Sequence, residues 1–145
     1  MFEKYIEMIC KILQIEKPFV KVDKSVFKNS TAMAYFDYKH NALFFPKPLS
    51  PSFDVFFAIA HELRHSWQVN TNFNYYFSDY KTRNELSNKD YNLQPAEIDA
   101  NAFAKMVIFA TFEAEPLFNG LDEDVKSKIQ NRYEELISEY APYFS

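Results

Sequence analysis

Two of the chain's three histidines stand four residues apart with an acid directly after the first, in the run His61-Glu62-Leu63-Arg64-His65. At about 100° per residue along a helix, His61 and His65 lie about 40° apart around the axis and one turn apart along it. Both imidazoles can then reach one divalent ion, and Glu62, flanking that face, is placed to take a proton from water. A hydrolytic zinc centre uses three protein ligands and one open position, so a third ligand is needed. Cys10 and His40 fall in a first helix and a turn, which leaves the downstream acids Asp79, Glu85, Asp90, Glu97, Asp99 and Glu113. Glu97 is the best of these. It shares a helix face with Ala100, Asn101, Ala104 and Ile108, and the small residues let its helix approach the histidine helix closely. Asp99 points about 200° away around the axis. Asn101, one turn after Glu97, can accept from the free ring N–H of a ligating histidine. Each has a plainer reading too: an acid near a helix start suits the helix dipole, and a buried Asn can serve backbone groups instead.

The elements that must carry these residues follow from periodicity and punctuation. Phe2, Tyr5, Ile6, Ile9, Ile12 and Leu13 have the three-four spacing of a one-sided helix. After Pro18, residues 19–22 read as a short strand, and residues 31–38 and 42–45 as a hairpin, giving a small three-stranded sheet. Ser50-Pro51 is a cap and first position for the active-site helix, which is expected to run to about Val69. Phe56, Ile59, Ala60, Leu63 and Trp67 form its packed back. Residues 70–92, rich in Asn and Tyr, show no clear period and are expected to be a loop with a short helix at most, a lid or substrate rim. Pro95 opens the glutamate helix, apolar on nearly all sides to about Phe112, and a C-terminal helix starts at Asp122. The expected class is α+β, in a single domain over residues 1–145.

Composition narrows the chemistry. The chain of 145 residues is 48% apolar and 25% charged, sufficient for one core without disulfides. Its lone cysteine excludes a disulfide framework or Cys-based zinc finger and fits a reducing, cytoplasmic setting. A single glycine, Gly120, rules out glycine-rich phosphate loops, and a net charge of −4 argues against unspecific nucleic-acid binding. No signal peptide or membrane span is expected, since the apolar runs fall far short of about 20 residues.

The stretches Ala60-His61-Glu62-Leu63-Arg64-His65 and Glu97-Ile98-Asp99-Ala100-Asn101-Ala102-Phe103-Ala104, with the hairpin before them, resemble the ImmA/IrrE-like metallopeptidases, small gluzincins common on phages and mobile elements. The chain departs from their usual pattern at Arg64, Gln68 and the run Met106-Val107-Ile108. The resemblance covers roughly residues 31–110. It implies a zincin-like fold, Zn2+ held by His61, His65 and Glu97, and Glu62 as general base in hydrolysing peptide bonds of an intracellular protein, such as a phage or mobile-element regulator. A donor to the tetrahedral oxyanion is expected from Tyr75, Tyr76, Tyr80 or Tyr91. The strand at residues 31–38 could accept an extended peptide at the sheet edge. Two rivals stand beside this reading: a non-enzymatic protein-interaction module on the same scaffold, and a hydrolase acting on an amide other than a peptide.

Overall fold

The N-terminal apolar stripe forms helix α1, Phe2–Leu13, which buries Ile6, Ile9 and Leu13. It closes with Gln14 at a φ of 56°, where N–H groups of Gln14 and Ile15 return to Lys11 and Cys10 carbonyls. This computed structural model describes residues 2–28 and 30–144. Strands β1, Phe19–Val22, β2, Tyr35–Asp37, and β3, Ala42–Phe45, make a mixed sheet in the order β1-β3-β2. β1 runs parallel to β3 with Phe19 opposite Ala42, and β2 runs antiparallel to it with Tyr35 opposite Phe44. The central strand is the buried one, as Leu43 and Phe45 show.

β2 is shorter than the expected strand over residues 31–38. Continued past Tyr35 opposite Phe44, the register sets residues 31–33 against Pro48, Lys47 and Pro46, and the two prolines have no N–H to extend the ladder.

Helix α2, Phe53–Phe77, carries the histidine motif. Its cap is Ser52 and not Ser50: of the two serines near Pro51, Ser52 is the one whose hydroxyl accepts from the Val55 N–H, at 3.2 Å. The helix also runs well past Val69, so the expected loop over residues 70–92 is corrected. Asn72 leaves helical geometry (φ −153°, ψ 69°) and its side chain accepts from the Tyr75 N–H at 3.3 Å, which starts a new helical turn instead of ending the helix. Phe73 and Phe77 pack at 5.6 Å along that turn, and Phe77 packs on His65 and Tyr80 at 6.1 and 5.2 Å. These tertiary contacts outweigh a local sequence with no helical period. Helix α3, Asn88–Leu93, capped by Ser87, takes up the end of the same segment.

Helix α4, Pro95–Phe112, is buried along almost its whole length and lies against α2, with Ala96, Ala100 and Ala104 fully enclosed. Small side chains let the two backbones come close. Helix α5, Glu123–Phe144, begins after Asp122, whose carboxylate accepts from the Asp124 N–H, and covers α4 with Val125, Ile129, Leu136 and Tyr140. The result is α+β, with five α-helices and one small mixed sheet among the described residues.

Candidate metal centre

α2 and α4 bring His61, His65 and Glu97 to one point. His61 Nε2 is 3.2 Å from Glu97 Oε1, His65 Nε2 is 3.2 Å from Glu97 Oε2, and the two ring nitrogens are 3.1 Å apart. A four-coordinate ion with ligands at about 2.0–2.1 Å requires ligand atoms about 3.3 Å from one another, the edge of a tetrahedron. The two ring nitrogens stand within about 0.2 Å of that edge, and each lies 3.2 Å from one oxygen of the same Glu97 carboxylate, so the residues fit a metal ion, and the group could hold one. It is also enclosed: Glu97 is buried and both histidines nearly so.

The other imidazole nitrogens are each held by a side-chain amide. His61 Nδ1–H donates to Asn101 Oδ1 and His65 Nδ1–H to Gln68 Oε1, both at 2.8 Å, which leaves the Nε2 atoms facing Glu97. Asn101 therefore lies where sequence reasoning puts it. Gln68 was not foreseen, although its place three residues after His65 on a helix is a usable signal.

Charge is perturbed throughout. Burial works against ionisation of Glu97, but His65 and His61 outweigh it and hold the carboxyl well below the usual range. Burial likewise opposes charge on His65, yet the Glu97 carboxylate raises it to about 9. Glu62, beside the pair, goes the other way: burial pushes its carboxyl up, offset in part by His65, His61 and the backbone N–H of Phe36. A carboxyl with a raised pKa is a better proton acceptor.

Of the four tyrosines, two reach the centre. Tyr80 O–H donates to Glu97 Oε2 at 2.8 Å, and Tyr91 O–H stands 2.9 Å from the Tyr80 hydroxyl. Burial, with the Glu97 charge behind it, drives the Tyr80 pKa far above its ordinary value, so it stays a donor. Gln94 fixes the turn carrying Tyr80, accepting from the Lys81 N–H at 2.7 Å and donating to the Lys81 carbonyl at 3.0 Å. Tyr75 is exposed and Tyr76 packs on Trp67, both away from the ligands. Cys10 is buried in the core, and His40 is exposed and bonded to Asp37. Neither joins the cluster, nor do Asp79, Glu85, Asp90 or Glu113.

Glu62 and His65 face a cleft of about 470 Å³ whose walls are aromatic, with Tyr35 and Phe36 from β2, Phe73 and Phe77 from the end of α2, and Tyr80 and Tyr91 beyond. The chain matches no protein-family model, no curated protein and no solved structure. Among the described residues, no helix is long and apolar enough to cross a membrane.

Proposed function

We propose that the chain is a zinc metallopeptidase with a zincin-like fold, hydrolysing peptide bonds of a protein substrate. One observation carries the reading: two imidazole nitrogens 3.1 Å apart, each 3.2 Å from an oxygen of the Glu97 carboxylate, stand beside a fourth side chain, Glu62, that is not needed to hold an ion and whose raised pKa suits a base. A purely structural site would fill its fourth vertex and have no use for such an acid.

His61, His65 and Glu97 would hold the ion. Zinc there would supply Lewis acidity, polarising a carbonyl and making water a stronger acid. The remaining steps belong to the chain's own groups. Glu62 takes a proton from the attacking water and returns it to the leaving amine. Tyr35 and Phe36 of the edge strand β2 line the same cleft as Glu62 and His65, so an extended peptide pairing along β2 would pass over the centre. The aromatic cleft suits a bulky apolar side chain next to the scissile bond. Tyr80 holds Glu97 while its proton stays bound, which leaves Tyr91, 2.9 Å from the Tyr80 hydroxyl, with an O–H that can turn to a developing oxyanion.

The test compares wild type with Glu62→Gln, measuring zinc content and cleavage of proteins encoded nearby in the source genome. Equal zinc with cleavage by wild type only, a loss of at least about 100-fold in the variant, is the expected outcome. Equal cleavage by both, or a wild type that takes up no zinc, refutes it.

A further inference from the structure

Behind His65 lies a buried polar chain that the ligand set does not explain. Gln68 and Arg64, both fully buried, and Asp99, nearly so, meet beneath the centre. A primary amide can present either its oxygen or its NH2 group to a neighbour, and the two orientations have nearly the same shape. At Gln68 the choice is forced. Its Nε2 lies 2.9 Å from the Ala96 carbonyl and 2.8 Å from Asp99 Oδ2, two groups that can only accept. Both amide protons go to them, and Oε1 is left to face His65 Nδ1 at 2.8 Å. An oxygen there accepts, so Nδ1 carries a proton in either charge state, and in the neutral ring the Nε2 lone pair is directed at the centre.

Asp99 is itself held from two helices. Arg64 of α2 donates to it through Nε at 2.7 Å and a terminal nitrogen at 3.1 Å, and Arg132 of α5 through Nε at 2.8 Å. With Gln68, these donors occupy the carboxylate on both oxygens, so Asp99 has no freedom to turn. Arg64 is fixed in turn by the Trp67 ring, 3.6 Å from its guanidinium carbon, and by donation to the Tyr140 hydroxyl at 2.9 Å. His61 has no such backing: its partner Asn101 has no second hydrogen-bond partner among the described residues.

We propose that Asp99 is a positioning residue which, acting through Gln68, sets the tautomer and orientation of His65. The consequence for metal affinity rests on the metal-centre reading above; the tautomer itself does not. Charge and geometry make the roles separable. Gln68→Met keeps the length of the side chain and leaves the Asp99–Arg64–Arg132 pairing intact, but removes the acceptor for His65. Asp99→Asn keeps the shape and removes the charge that orients the Gln68 amide.

The experiment uses the full chain with 15N-labelled histidine. In metal-free protein, wild type should show a slowly exchanging His65 Nδ1–H resonance, which Gln68→Met loses and Asp99→Asn shifts or broadens. Zinc affinity, from competition with a chelator, should fall about 10- to 100-fold in both variants. If Asp99→Asn fails to fold, Gln68→Met decides alone. An unchanged Nδ1–H signal in Gln68→Met, or zinc affinity within about threefold of wild type, overturns the proposal. A wild type that binds no zinc yet shows the expected resonance pattern refutes the metal-centre reading and leaves the Asp99–Gln68–His65 relay standing.

Discussion

Stripping metal from the protein and then raising the pH is expected to weaken the fold, by an amount set by His65. In the metal-free centre burial disfavours the charged imidazole, but the Glu97 carboxylate at 3.2 Å prevails and raises it to about 9. In an unfolded chain a histidine titrates near 6.5. A group raised on folding contributes its full stabilisation below the unfolded value and loses it as pH climbs through the folded one. The window therefore runs from pH 6.5 to about 9, and at about 1.4 kcal/mol per tenfold the contribution lost is about 3 kcal/mol. For a chain of this size that is a fall in Tm of about 10 °C. Glu97, held low, stays ionised across the window, and Cys10, pushed up to about 11 by burial, stays protonated. Zinc reverses the dependence, because a ligating imidazole must first give up its proton. Apparent zinc affinity should climb about tenfold per pH unit and level off near 9. Thermal melts of chelator-treated and zinc-loaded protein between pH 6 and 9.5, at fixed ionic strength, measure both. A metal-free Tm that stays flat from pH 6.5 to 9, or zinc affinity indifferent to pH, refutes the reasoning.

Two further outcomes bear on the scaffold and the tyrosine. Arg64→Leu leaves Asp99 with Arg132, whose side chain is 25% exposed, as its remaining charged partner, and should cost about 3–5 kcal/mol in urea unfolding; a loss under about 1 kcal/mol would mean that the buried pair contributes little. Tyr80→Phe removes the donor to Glu97 Oε2 and should weaken zinc binding about tenfold by chelator competition, with unchanged affinity counting against a role for the hydroxyl.

Much of the centre was legible because its information is local. Three residues separate His61 from His65, and helix geometry alone turns that spacing into two imidazoles on one face, here 3.1 Å apart at their Nε2 atoms. Pro95, with alanines at one-turn intervals, likewise fixed the face of α4 on which Glu97 and Asn101 sit. The segment after Val69 was not legible. Asn72 is a helix breaker and a helix cap in the same position, and only the packing of Phe73 on Phe77, and of Phe77 on His65, selects the second role. Arg64 was harder still, since a charged residue on a helix is ordinarily solvated, and its burial depends on Asp99 and Tyr140 arriving from distant positions to join Trp67 of its own helix.

The amino-acid sequence by itself determined the helix spacing of the histidine pair, the strands that flank it and the acid that could complete a ligand set, because periodicity and capping act over a few residues. Only the tertiary structure decided that α4 stands close enough to α2 for Glu97 to meet both rings, that Tyr80 rather than Tyr75 or Tyr76 reaches the carboxylate, and that Gln68 and Asp99 lie behind His65. Those are distances between helices, set by how alanines, aromatic rings and a buried guanidinium pack together, and no local pattern encodes them.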